Sequence, residues 1–284
     1  MESCLTDMHI HSTASDGTDG VRELLAKVRR TGIRVFSLPD HDTIQGSLEM
    51  ERLVPQDMLF VKGIEFSCIT RVGKCHILGY DYDETAPCFQ ASLEEGRRRR
   101  RRKLDRRLRF LKETYGIGFS DGELHSLYQI NSVGKPHLGN LLVAKGVASN
   151  KEEAIETYLN PCKTESDRLD AEEVVHAILS AGGVPVWAHP LGGTGERPLG
   201  NEEFQSQLKL LADAGVKGLE CYYSIYTQEQ IQFLLDTAER RRLYISGGSD
   251  YHGVNKTVQL GCLNAYGAAV TAERLTLPFL KQRQ

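Results

Sequence analysis

Seven short runs rich in β-branched and aromatic residues recur along the chain, at residues 4–11, 34–41, 58–68, 75–81, 184–189, 218–223 and 243–249. Most of them carry a histidine or a carboxylate at or just beyond one end. Runs of this length and composition predict strands. Between several of them the apolar residues switch to helical spacing. Val21–Arg30 puts Leu24, Leu25 and Val28 on one stripe and stops at Gly32. Ala171–Ser180 carries Val174, Val175 and Ile178 and stops at Gly182 and Gly183, and residues 207–214 repeat the pattern before Gly215. Strand and helix in alternation predict a parallel sheet. Seven strands in about 200 residues favour a barrel, with an open doubly wound sheet as the alternative.

The alternation fails over residues 85–167, where the pattern is wholly helical, with capping-box candidates at Ser92/Glu95 and Ser120/Glu123. This stretch reads as a helical subdomain inserted between the fourth and fifth strands, so that residues 1–84 and 168–284 form the barrel and 85–167 a cap. The chain shows no internal repeat, and its one low-complexity segment is the arginine run at 97–102.

Composition excludes several classes. With 284 residues, 40% of them hydrophobic and 26% charged, the chain can bury a full core and is neither disordered nor a disulfide scaffold. A net charge of −3 provides no global attraction for nucleic acid, so any basic patch has to be local. The seven cysteines include no C-x-x-C pair. With no signal-peptide pattern and no apolar stretch long enough to span a bilayer, they predict a soluble protein of a reducing cytoplasm, with no membrane and no obligate protein partner.

The chemistry collects at the ends of the runs. His9 and His11 end the first, His41 the second and His189 the fifth; Glu65 falls in the third, Asp250 and His252 follow the seventh, and His76 opens the fourth. In a barrel, the carboxyl ends of parallel strands share one rim, so these residues converge. Strand period two puts His9 and His11 on one side, as two ligands of one metal require. A lone strand histidine is ordinarily a hydrogen-bonded core residue. So many buried polar groups, with Asp16, Glu65 and Asp250 among them, would however leave donors and acceptors unpaired without an ion. Imidazole with carboxylate and no thiolate suits manganese first, with iron, zinc or magnesium as alternatives.

The segments DMHIHSTASDGT, LPDHDT, GIEFS, HILGY, WAHP and GGSDYHG follow one another in this order between residues 7 and 253. Together they resemble the PHP (polymerase and histidinol phosphatase) family of metal-dependent phosphoesterases. The resemblance implies a distorted (β/α)7 TIM-like barrel with up to three metals at its rim. It implies that His9, His11, Glu65 and Asp250 hold one metal. Glu65 then bridges to a second held by His76 and His189, while Asp16, His41 and His252 hold a third. Many members have threonine where Pro39 stands here, a departure that removes no ligand.

Three divalent ions against three carboxylates leave about three positive charges, a site suited to phosphate. Hydroxide generated from metal-bound water serves as nucleophile, and no protein nucleophile is required. Ser246 and Ser249 lie in no G-x-S-x-G elbow. In the insertion, Leu104, Leu108 and Leu111 form an apolar stripe that extends back to Arg100 and Arg97. These two arginines therefore face inward as candidate phosphate ligands, while Arg98, Arg99 and Arg102 face water.

Lys135 and His137 flank a proline able to begin a helix, whose N-terminus attracts anions; His137 has helix capping as its plainer role. The segment GKPHLGNLL resembles the G-R-P-H stretch of PHP proteins acting on small nucleotides, with lysine in place of arginine. The resemblance implies hydrolysis of nucleoside 3′,5′-bisphosphates such as pAp, or degradation of short RNA from its 5′ end. A histidinol-phosphate phosphatase and a non-catalytic, metal-stabilised binding module are the rival readings.

Overall fold

The computed structural model describes residues 4–164, 167–194 and 197–282. In chain order the elements are β1 (Leu5–Asp7), α1 (Val21–Arg30), β2 (Ile33–Leu38), α2 (Gln45–Leu53), β3 (Leu59–Ile69) and β4 (Lys74–Tyr80). A helical stretch follows, with α3 (Pro87–Tyr115), α4 (Asp121–Gln129), α5 (Lys135–Ala144) and α6 (Lys151–Glu153), the last running into a π-helical turn at Ala154–Leu159. Strand and helix then alternate again through β5 (Leu169–Asp170), α7 (Ala171–Ser180), β6 (Val184–Trp187), α8 (Asn201–Ala214), β7 (Gly218–Tyr223), α9 (Gln228–Arg241) and β8 (Tyr244–Gly248). The short β9 (Val270–Thr271) and α10 (Pro278–Gln282) complete the order.

The fold is mixed α/β around one curled sheet of order β8-β7-β6-β4-β3-β2-β1-β9, with β5 paired to β3. Two expectations need correction. The sheet is not wholly parallel, because β4 runs antiparallel to both β3 and β6. Only residues 70–73 separate β3 from β4, too few for a helical crossover, and Thr70 closes the turn by donating its N–H to the Gly73 carbonyl at 2.9 Å. The strands also differ from the seven runs. The first is only three residues long, so His9 and His11 lie beyond it, and β5 and β9 lack the length that a sequence pattern needs.

The curl is visible in long-range bonds. Tyr80 of β4 donates its hydroxyl to the Met8 carbonyl at 2.9 Å. The residues after β1 pair with the end of β8 and the residues that follow it, through Met8 N to Gly247 O (3.1 Å), Asp250 N to His9 O (2.8 Å) and His11 N to Tyr251 O (2.9 Å). Met8, Val35, Val61, Leu78 and Val186 come from successive strands into one apolar cluster, plugged by Leu275, Leu277, Phe279 and Leu280. Alternate residues of those strands pack outward on the helices, with Phe36 and Leu38 against Leu24 and Val28, and Ile64, Phe66 and Ile77 against Val174 and Ile178.

The helical stretch has its own apolar cluster, which includes Leu104, Leu111, Leu127, Leu138, Leu142 and Leu159. Ser120 and Glu123 form the expected capping box at α4. Ser92 and Glu95 do not form one, because α3 already starts at Pro87, a residue preorganised for the first turn. Glu95 instead pairs with Arg98, Arg99 and Arg102.

Candidate metal centre

The reversal of β4 explains how a residue that opens a strand meets residues that end strands. In an antiparallel neighbour the amino end lies at the carboxyl rim, and the register sets His76 opposite Ser67, two residues past Glu65. His9 and His11 arrive from the segment after β1, His41 from the end of β2, His189 from the end of β6, and Asp250 and His252 from the end of β8.

Glu65 is fully buried and stands at the centre. Its Oε2 lies 3.2 Å from His9 Nε2, 3.3 Å from His11 Nε2 and 2.9 Å from His41 Nδ1. Its Oε1 lies 2.8 Å from His76 Nδ1 and 3.2 Å from His189 Nε2. Asp250 Oδ1 is 3.3 Å from both His11 Nε2 and His252 Nδ1, and Asp16 Oδ1 is 3.2 Å from His252 Nε2 and 3.9 Å from His41 Nε2.

Three groups of these residues bring ligand atoms within 4.8 Å of one another, close enough to hold a metal ion: His9, His11 and Asp250; His41, Glu65 and His76; and His11, Asp16, His41 and His252. All nine sequence candidates therefore meet in one place. His41 faces Glu65 as well as Asp16, and His189 meets Glu65 through its Nε2.

The donor set fits divalent cations. Among the described residues, His9 Nε2, His11 Nε2, His41 Nδ1, Asp16 Oδ1 and Glu65 Oε2 are buried and make no hydrogen bond, a costly arrangement for protein partners alone. The electrostatics ask for positive charge. Burial would depress His9 and His11, but Glu220, Glu65 and Asp250 raise His9 well above its usual value, and Asp250 with Glu65 lifts His11 to about 9. Burial likewise opposes ionisation of Glu65, Asp16 and Asp250. The surrounding histidines, with Lys256 beside Asp250, outweigh it and hold all three carboxyls well below the ordinary range.

Residues without a sequence prediction hold the candidate ligands in place. Glu220 is buried in β7 and accepts from His9 Nδ1 at 2.8 Å with one oxygen and from the His189 N–H at 2.7 Å with the other. A carboxylate on Nδ1 leaves Nε2 as the lone-pair donor. Tyr223 donates to Asp250 Oδ2 at 2.6 Å, and Lys256 pairs with the same oxygen. Asp40 accepts from the Ser12 N–H at 2.8 Å and the Ser15 hydroxyl at 2.6 Å, fixing the loop that carries His11 and Asp16.

His189 and Asp250 have positive φ, 30° and 57°, a strained backbone kept where side chains must be aimed. Gly248 is required by close approach, since a Cβ there would lie 2.2 Å from that of His9. One lone acid in the apolar run GLECYY was the available signal for Glu220.

A cavity of about 330 Å³ opens over the cluster, lined by Asp16, His41, Glu65, His76, His189, Asp250 and His252 below and by Arg100, Lys103, Arg107, Lys135 and Lys256 around it. Arg100 is buried as its register predicts, with Nε 2.7 Å from Asp42 Oδ2 and Nη2 2.9 Å from Ser67 Oγ. Arg97 is half-buried and does not line the cavity. Arg98 and Arg102 are exposed as expected. Arg99 is half-buried instead, because it bonds Glu95 and the Arg168 carbonyl. Pro136 lies in the first turn of α5, Lys135 reaches Asn160, and His137 Nδ1 accepts from the Gly134 N–H at 2.9 Å, so it caps its helix.

No protein-family model matches the chain. It is 30% identical over 273 residues to the 5′-3′ exoribonuclease of Haemophilus influenzae, covering 90% of this chain and 92% of the relative. It is 28% identical to the phosphoribosyl 1,2-cyclic phosphate 1,2-diphosphodiesterase of Eggerthella lenta (88% and 94% covered) and 28% identical to the 3′,5′-nucleoside bisphosphate phosphatase of Chromobacterium violaceum (87% and 86% covered). Among solved structures, one described as a metal-dependent phosphoesterase from Bifidobacterium adolescentis superposes with a TM-score of 0.78 at 27% identity, covering 98% of this chain and 94% of that one.

Proposed function

Because the chain belongs to the PHP family of metal-dependent phosphoesterases, we propose that it hydrolyses phosphate monoesters of small nucleotides such as nucleoside 3′,5′-bisphosphates, or degrades short oligoribonucleotides from the 5′ end. The observation that carries this reading is the pairing of two layers in one cavity: a buried carboxylate ringed by histidines beneath, and lysines and arginines above. The first layer suits cations and the second suits an anion that carries more charge than a single ester.

His9, His11, Glu65 and Asp250 would hold one ion, Glu65 with His76 and His189 a second, and Asp16, His41 and His252 a third, with manganese the first choice. Bound divalent ions supply charge against the developing negative transition state and render an attacking water more acidic. The protein's own groups do the rest. Glu220 orients His9 and the His189 backbone, and Tyr223 and Lys256 fix one oxygen of Asp250, turning the other inward. Arg100, Lys103 and Lys256 offer donors to phosphoryl oxygens from the cavity wall.

Two coarser features accord with the reading. The curled sheet with β8 bonded beside β1 suits a distorted (β/α)7 barrel, and the separate core of α3 to α6 suits a cap over residues 85–167. Seven cysteines without a C-x-x-C pair suit a reducing cytoplasm, and no helix among the described residues is long and apolar enough to cross a membrane.

The test is release of phosphate by manganese-loaded protein from adenosine 3′,5′-bisphosphate, p-nitrophenyl phosphate and histidinol phosphate, and of mononucleotide from short 5′-phosphorylated oligoribonucleotides. The nucleotides should have the highest kcat/KM. Preference for histidinol phosphate, or metal bound with no turnover of any ester, would overturn the assignment in favour of its rivals.

A further inference from the structure

Arg100, Lys103 and Arg107 lie at i, i+3 and i+7 along α3, so they share one helical face, and all three are buried. Arg100 anchors that face to the candidate metal centre. Its Nη2 is 2.9 Å from Ser67 Oγ, and Ser67 stands opposite His76 and two residues past Glu65. At about 1.5 Å of rise per residue, Lys103 follows about 4.5 Å farther along the helix axis and Arg107 about 10.5 Å. The three cations therefore lead away from the cluster in steps.

Only the first of them has a partner in the protein. Asp42 Oδ2 is 2.7 Å from Arg100 Nε, and the other nearby acid, Asp167, is taken by Arg102 and Arg106 at 3.7 and 3.2 Å. Among the described residues neither Lys103 nor Arg107 forms an ion pair or a hydrogen bond, although both are more than nine-tenths buried, and Arg107 Nε is sealed from solvent as well. Burial, with Arg100 and Arg168 close by, pushes Lys103 down to about 7 and Arg107 to about 10. A buried cation without a counterion is costly to keep.

These side chains border open space. Lys103, Arg107 and Arg168 line the cavity over the cluster and also a second one, of about 610 Å³, that adjoins it; His76 and His189 line both as well. Among the described residues no carboxylate lines both. Arg168 is held at this junction by a bond from Nη1 to the Cys68 carbonyl at 3.4 Å. A phosphate, whose acceptor oxygens are spread over a tetrahedron, can meet one ammonium and two guanidinium forks at once.

We infer that the junction is a subsite for a second phosphate of the substrate, the one not being hydrolysed, held by Lys103, Arg107 and Arg168 while the reacting phosphoryl group lies over the cluster beside Lys256. Arg100, fixed by Asp42 and Ser67, aligns the helix that carries two of the three cations. The inference rests on the nucleotide reading above and deepens it, because such a subsite selects substrates with two phosphates over simple monoesters.

The test compares manganese-loaded wild type, Lys103→Met and Arg107→Met on adenosine 3′,5′-bisphosphate and on p-nitrophenyl phosphate, which has no second phosphate, with melting temperatures measured beside the kinetics. Loss of one charge-assisted contact should lower kcat/KM for the bisphosphate by about 10- to 100-fold, and the ratio of bisphosphate to p-nitrophenyl phosphate kcat/KM should fall by about the same factor. Both variants should melt no lower than the wild type in phosphate-free buffer, since methionine replaces a buried charge that has no partner. An unchanged substrate ratio in both variants, whatever their absolute rates, overturns the subsite and leaves the nucleotide reading standing. If that ratio is unchanged while inorganic phosphate raises the melting temperature of the wild type but not of Arg107→Met, the pocket takes free phosphate and the substrate role is again overturned. Hydrolysis of p-nitrophenyl phosphate with none of the bisphosphate overturns the nucleotide reading itself, and the subsite with it.

Discussion

Glu220 offers the sharpest test of how the candidate metal centre is built, because one buried carboxylate holds two candidate ligands that follow different strands. Its oxygens accept from His9 Nδ1 at 2.8 Å and from the His189 N–H at 2.7 Å. Glu220→Ala strands two buried donors, each costing about 1 to 3 kcal/mol, so a loss of about 2 to 6 kcal/mol is expected. That is comparable with the whole stability of about 5 to 15 kcal/mol of an ordinary domain, and the alanine variant is therefore a poor probe of function.

Glu220→Gln keeps the volume and one accepting oxygen. Its amide nitrogen opposes the other donor, which confines the cost to one bond of about 1 to 3 kcal/mol. Loss of a ligand's outer hydrogen bond lowers metal affinity by about 10- to 100-fold. The assay is metal content after equilibrium dialysis at graded manganese, read beside thermal unfolding and phosphate release. The glutamine variant should need about 10- to 100-fold more manganese for half-occupancy and recover activity when saturated. Wild-type metal affinity in a folded Glu220→Gln protein would refute the positioning argument.

Glu65→Ala should lose more activity and more bound metal than His76→Ala, since five histidines face Glu65 and only one ring goes with His76; equal losses at saturating manganese would count against a bridge. Chelation should abolish phosphatase activity and lower the melting temperature, both reversed by manganese, because ligands that bind only the folded state stabilise it by mass action. Arg100→Ala should destabilise by about 3 to 5 kcal/mol, as it leaves buried Asp42 without its partner, and this is checked by denaturant unfolding.

Burial pushes Asp42 up, but Arg100 and Lys103 hold it at about 2 against an ordinary 3.8. A depressed carboxyl stabilises the fold above its unfolded value, so about 2 kcal/mol should be lost as the pH falls from near 4 through about 2, and the loss should be absent in Asp42→Asn.

The clustered residues were legible because side chains gathered at strand ends leave a polar residue where an apolar run stops, as at His41 and His189. The direction of β4 was also encoded, in the short gap between the third and fourth runs, but alternation elsewhere favoured a parallel reading. Glu220 carried the weaker signal of a single acid within a strand, and nothing in the sequence pairs it with residues 9 and 189. The cationic face of α3 was half visible. Stepping back from Leu104 reaches Arg100 and then Arg97, yet Arg97 stays off the cavity, whereas Lys103 and Arg107 continue the face from Arg100 in the other direction. Charged residues set beside leucines read as a solvated edge until the surface that buries them is known.

The three carboxylates of the centre are not equivalent, and the difference lies in what the protein does with each oxygen. Asp250 gives Oδ2 to Tyr223 and Lys256 and keeps Oδ1 toward His9, His11 and His252, so it can serve metals through one atom. Asp16 sets Oδ1 toward His252 and His41, while its Oδ2 lies near Gly134 at the start of α5, so the helical stretch closes directly over this ligand. Glu65 commits neither oxygen outward: Oε1 faces His76 and His189, and Oε2 faces His9, His11 and His41. Only Glu65 therefore has two free-facing atoms aimed at two different histidine sets. A carboxylate that bridges two cations requires that arrangement, and one that ligates a single ion does not.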